Sequence, residues 1–124
     1  MKKLIIAIDF DGVISKINKN NDLHPKELVE NADVFIRKLY NEGYYVIIWT
    51  CRTSNNLYLA EKFLEEHKIP YNRINDNADT HYQNFKNASR KIYADVYIDD
   101  KQIGGLPSWE EIYKYIHKIT KKIV

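Results

Sequence analysis

Apolar and polar positions alternate along the chain in two rhythms. Leu4–Asp9 begins as an unbroken apolar run rich in Ile, the pattern of a strand buried on both faces of a parallel sheet. A polar stretch with Asn18, Asn20 and Asn21 follows. Leu28, Ala32, Phe35, Ile36 and Leu39 then recur at helical spacing, predicting a helix from near Pro25 to a left-handed stop at Gly43. Tyr44–Thr50 predicts a second strand centred on Val46, Ile47, Ile48 and Trp49. Thr53 or Ser54 can cap the next helix, whose face carries Leu57, Ala60 and Leu64. Pro70 separates it from a short third strand at Tyr71–Ile74, and Ala94–Asp99 predicts a fourth. Ser108 and Glu111 have capping-box spacing ahead of a last helix with Ile112, Ile116, Ile119 and Ile123 on one face. Strands alternating with helices predict right-handed crossovers and an α/β fold: one doubly wound parallel sheet with helices on both faces. No linker, repeat or low-complexity block interrupts the pattern, so residues 1–124 read as a single domain.

Composition narrows the function classes. Nineteen basic against 17 acidic residues leave a net charge of +2, which argues against a dedicated nucleic-acid surface or a polybasic membrane binder. The apolar run before Asp9 is too short for a membrane span or a signal core, so a cytoplasmic domain is expected. The single Cys51 excludes an internal disulfide, and His24, His67, His81 and His117 have no zinc-ligand spacing among themselves or with it. Cys51 itself is expected to be a buried structural thiol. The ten tyrosines lack interleaved arginines and read as packing. Lys114, Lys118, Lys121 and Lys122 read as a solvated helix face that also suits the helix dipole.

The acidic residues fall in a more telling pattern. Ligand crevices in such sheets lie at the carboxyl ends of strands, where strand order reverses. The first strand ends in Asp9-Phe10-Asp11-Gly12, the second in Thr50-Cys51-Arg52 and the fourth in Asp99-Asp100, with Lys91 shortly before that last strand. Two acidic pairs gathered at one sheet edge repel by on the order of 4 kcal/mol per pair at about 4 Å and intermediate dielectric. A hard divalent cation with oxygen ligands, magnesium above all, is the natural counter-charge.

These four segments, in this order, resemble the four motifs of the haloacid dehalogenase superfamily of phosphohydrolases. The likeness is greatest to small capless bacterial members, through Trp49-Thr50-Cys51-Arg52 and Gly104-Gly105-Leu106-Pro107-Ser108-Trp109. The resemblance implies a Rossmann-like domain that hydrolyses phosphate monoesters with Mg²⁺. Asp9 would be the nucleophile that becomes an aspartyl-phosphate, and Asp11 would protonate the leaving alcohol and then activate water. Thr50 would donate its hydroxyl to a phosphoryl oxygen, and Lys91 would balance the charge on the transferring group. The metal would be held by Asp9, the backbone carbonyl of Asp11 and Asp99, with Asp100 acting through water or by holding Lys91. Phe10, Gly12, Cys51, Arg52 and Asn75 are the candidate substrate-binding residues.

Two positions depart from the family pattern: Val13 stands where a Thr is usual, and Lys101 where the nearest relatives have Arg. The gaps from Gly12 to Pro25 and from Ile74 to Lys91, about a dozen and about sixteen residues, are too short for a folded cap. The site is therefore expected to be open unless a second copy of the chain covers it. An open site suits a phosphorylated small molecule or a phosphorylated polymer end. Residues 75–90, with Asn75, Asp76, Asn77, His81, Tyr82 and Asn84, are the candidate substrate rim. Two other classes share the inventory. A receiver domain of phospho-signalling has similar residues, but in a different strand order. A catalytically silent metal- or phosphate-binding module would have little reason to keep both Asp9 and Asp11.

Overall fold

The computed structural model describes residues 4–84 and 89–123. Four strands, β1 (Ile5–Ile8), β2 (Tyr45–Ile48), β3 (Arg73–Ile74) and β4 (Val96–Ile98), form one all-parallel sheet in the order β3-β2-β1-β4. Among the described residues four α-helices accompany them, α1 (Ala32–Asn41), α2 (Ser54–Glu66), α3 (Asp79–Asn84) and α4 (Trp109–Ile123), with a short 3-10 turn at Lys19–Asn21. The α/β class and doubly wound parallel sheet expected from the pattern are what the chain forms.

Strand order explains how the layers are filled. The crossovers from β1 to β2 and from β2 to β3 step in one direction, so their right-handed connections place α1 and α2 on the same face. There Ile6, Ile8, Val46, Ile48 and Ile98 pack with Ile36, Leu39, Phe63 and Leu64, and with Trp109, Ile112 and Ile116 of α4. Ile6, Ile8 and Ile48 are fully buried, each worth roughly 1.5–3 kcal/mol relative to exposure. The connection from β3 to β4 reverses direction and passes behind β2 and β1. Its Ala78, Ile92 and Ala94 cover Ile5, Ala7 and Ile47 on the opposite face. The two coats are unequal: three long helices on one side, a short helix and extended chain on the other.

Local chemistry sets the boundaries. The helix predicted from near Pro25 begins only at Ala32, because Leu28 serves another partner. Ser15 and Leu28 form an antiparallel bridge, with Lys16 N–H donating to Glu27 O (2.8 Å) and Val29 N–H to Ile14 O (2.8 Å). At the far end of α1, Gly43 at φ +95° ends the helix. Its N–H donates to Tyr40 O and that of Tyr44 to Leu39 O, the paired bonds of a Schellman cap. β3 is shorter than expected, yet two asparagines prolong its pairing: Asn72 Oδ1 accepts from Val46 N–H and Asn75 Oδ1 from Thr50 N–H, both at 2.8 Å. The capping box before α4 is formed, Ser108 Oγ accepting from Glu111 N–H at 3.2 Å.

Trp109 is buried at the start of α4 and donates its indole N–H to Val13 O at 3.0 Å. Trp109→Phe keeps most of the apolar bulk but orphans that carbonyl. It is expected to lower the unfolding free energy in urea by about 1–2 kcal/mol.

Candidate functional site

The direction of the crossovers reverses after β1, so the topological switch point lies between β1 and β4. Asp9 is placed one residue past β1 by a bond from its N–H to Ile98 O (2.9 Å), while Trp49 N–H on the other side donates to Ile8 O (2.9 Å). The chain then turns sharply: Phe10 O accepts from Ile14 and Ser15 N–H, and Gly12 N–H donates to Ser15 O at 2.7 Å. Phe10 anchors the turn from below, fully buried and edge-on to Phe63 at 5.7 Å. Gly12 sits at φ +83°, where a Cβ would stand 2.2 Å from Asp100 Oδ2. The turn after β1 and the turn after β4 therefore meet, and only a residue without a side chain allows it.

Asp9, Asp99 and Asp100 each offer a carboxylate oxygen, all within 4.8 Å of one another. At that spacing each ionised pair repels by on the order of 3 kcal/mol at an effective dielectric of about 20. Asp9 Oδ1 accepts from Phe10 N–H (2.8 Å) and Asp99 Oδ1 from Lys101 N–H (3.0 Å). Asp100 Oδ1 is buried without a hydrogen-bond partner. Burial, with the charges of Asp99, Asp100 and Asp11, pushes Asp9 up to about 7 against the lowering effect of the Phe10 N–H. Burial, a hydrogen bond with Asp99 and that neighbour's charge raise Asp100 as well. Crowded, partly desolvated oxygens with one left orphaned fit a hard cation: they are charge-dense oxygen donors whose mutual repulsion such an ion would cancel.

Asp11 is not part of this cluster. Its two oxygens accept from Arg52 Nη2 (2.8 Å) and Nε (2.9 Å) in a bidentate fork. Arg52 is buried, donates a third bond to Asn56 O (3.0 Å) and lies 5.0 Å from the centre of the Phe10 ring. Its expected place on a substrate group is thus taken by Asp11, a pairing strong enough to hold both side chains.

Thr50 is buried, its N–H held by Asn75 and its Oγ1 accepting from Arg52 N–H at 3.1 Å, which leaves the hydroxyl proton for another acceptor. Asn75, at φ +52°, acts through this lock on Thr50 and bonds Ile48 O with its own N–H. Lys91 is exposed, with its ammonium 4.8 Å from the Tyr97 ring centre; among the described residues it makes no ion pair with Asp100.

Three expectations are corrected. Cys51 is exposed, because β2 ends at Ile48 and the chain has left the sheet before reaching it. Asn77 is buried instead of standing on a rim: its Oδ1 accepts from Tyr93 N–H at 2.8 Å and knits the second-face layer together. Asp76 is taken by Arg73. Residues 85–88 and the side chains of Tyr82 and Asn84 lie outside the described residues. Val13 is fully buried in the core.

The cavity beside the acidic turn lies on the other flank from the expected rim. It has about 240 Å³ and is lined by Asp11 and Arg52 together with Ser15, Asn18, Asp22 and Leu23. The polar stretch around Asn18 was the only signal for it in the sequence. A larger apolar groove of about 400 Å³, between β4 and α4, is lined by none of Asp9, Asp11, Asp99 and Asp100. No described helix is long and apolar enough to cross a membrane.

No family model matches the chain, and no curated protein matches it. Among solved structures, the chain is similar to a conserved protein coded by a locus from Bacteroides thetaiotaomicron. The TM-score is 0.80 at 29% sequence identity, over 94% of this chain and 92% of that one.

Proposed function

We propose that the chain is a magnesium-dependent phosphatase that hydrolyses phosphate monoesters through an aspartyl-phosphate on Asp9. One observation carries this reading: Asp9, Asp99 and Asp100 converge at the topological switch point with a buried carboxylate oxygen left unpartnered. Asp9, Asp99 and Asp100, with the Asp11 carbonyl, would hold the ion, which would neutralise the carboxylates and draw charge from a phosphoryl oxygen.

The remaining chemistry belongs to the chain. With Oδ1 held by Phe10 N–H, Asp9 presents Oδ2 to phosphorus. The Oδ2–P bond forms as the bond to the ester oxygen breaks, and that oxygen leaves with a proton from Asp11. Both Asp11 oxygens accept from Arg52, so one of those bonds opens and the freed oxygen takes a proton from solvent before Asp11 passes it on. Thr50 donates its hydroxyl to an equatorial oxygen, and Lys91 offsets the remaining charge. Water then attacks the phosphoryl group, Asp11 takes its proton, and Asp9 is released as carboxylate.

Magnesium with beryllofluoride mimics the phosphorylated carboxylate. At a hundred times its dissociation constant it is expected to stabilise the fold by about 2.7 kcal/mol, read as a rise in melting temperature. No shift would remove the phosphoryl site. Continuous release of phosphate from acetyl phosphate supports a hydrolase, whereas one long-lived phosphate per chain marks a receiver.

A further inference from the structure

Lys91 differs from the other site residues in how its charge is held. Its ammonium rests 4.8 Å from the centre of the Tyr97 ring and has no ion-pair partner among the described residues. A lysine bound to a carboxylate reaches a ligand already neutralised. One resting on an aromatic face keeps its charge while giving up conformational freedom.

Tyr97 also controls the backbone around that lysine. It is the middle residue of β4, registered against Ala7, and stands two residues before Asp99. Its hydroxyl donates to Ile92 O (2.6 Å) and accepts from Ala94 N–H (3.1 Å), fastening the chain directly after Lys91. Beside the ring lies Trp49, 5.6 Å between centroids, in the residue that precedes Thr50. The two aromatics meet across β1, where Ala7 presents only a methyl.

Resting on the phosphatase reading, we infer that Tyr97 is the positioning residue for Lys91. Its ring holds the ammonium, its hydroxyl holds the adjoining backbone, and Trp49 backs the ring. An unneutralised positive charge is thereby set out for the phosphoryl group. The strand that leads into Asp99 and Asp100 thus also places the lysine, through its own middle residue.

A double-mutant cycle in the full, magnesium-loaded chain tests this. Lys91→Met is expected to lower kcat/KM on an aryl phosphate by about 100-fold. Tyr97→Leu should lower it by about tenfold to a hundredfold, and the double variant no further than Lys91→Met alone. Tyr97→Phe, which keeps the ring and loses both hydrogen bonds, should fall between the wild type and Tyr97→Leu. Beryllofluoride affinity should follow the same order, while magnesium affinity without it stays unchanged throughout. Losses that multiply in the double variant, or a fully active Tyr97→Leu, overturn the positioning role and leave the phosphatase reading standing. Weakened magnesium binding in Tyr97→Leu overturns it too, because β4 itself would have moved. A wild type with neither turnover nor beryllofluoride binding removes both readings, since Lys91 would then face no phosphoryl group.

Discussion

Asp9→Asn is expected to abolish phosphate release, by at least about 10⁴-fold, while the protein melts at the same temperature or higher. The amide keeps the shape of the carboxyl and can still accept from Phe10 N–H, but it cannot form a stable bond to phosphorus. Removing the charge also relieves repulsion with Asp99 and Asp100, so without metal the melting temperature should rise by about 3–6 °C. The pH dependence has a definite sign. Asp9 sits at about 7 in the fold against an ordinary 3.8, so the fold favours its protonated form. That contribution is complete below 3.8 and is lost as pH rises through about 7. Metal-free wild type should therefore lose stability on going from acid to neutral pH more steeply than Asp9→Asn. Magnesium should restore it above neutrality, because the ion competes with the proton for the same oxygens. Retained turnover in Asp9→Asn would remove Asp9 from its role, and parallel pH profiles would remove the crowding.

Gly12→Ala should be nearly as damaging, for a different reason. The new methyl would have to stand 2.2 Å from Asp100 Oδ2 at a φ of +83°. Backbone strain alone accounts for roughly 1–3 kcal/mol of lost stability. Relief by moving Asp100 would break the three-carboxylate cluster, so magnesium affinity should fall at least about tenfold. Calorimetric titration with magnesium, alongside urea unfolding, separates the two effects. Unchanged magnesium binding would show that Asp100 is not a ligand.

Much of the fold was readable from pattern because burial on both faces leaves an unmistakable mark on β1 and β2, and because Gly43 and the Ser108–Glu111 pair are local signals with local causes. The start of α1 was not readable. Leu28 has the spacing of the helical stripe and packs against the core, yet its backbone is held in a bridge to Ser15, a partner distant in sequence. The acidic cluster was legible, since strand ends are where a parallel sheet gathers its chemistry. The pairing of Asp11 with Arg52 and the inward turn of Asn77 depend on which loops meet, and no periodicity encodes that. Tyr97 was illegible for a further reason: an aromatic residue within a strand looks the same whether it fills the core or carries a lysine.

The unequal coats of the sheet divide the site into a stiff half and a yielding half. Phe10 and Ile98, which flank the carboxylates, are backed by α1, α2 and α4, and displacing them would open the main core. The layer that bears Lys91 rests on a smaller buried cluster, in which Ala78 and Ala94 bring only a methyl each and Ile92 the one large aliphatic side chain. Loosening there would withdraw the cation and leave the anions in place. A dianionic guest touching both halves would draw the thinner wall inward, making the guest itself the fastener of its own enclosure.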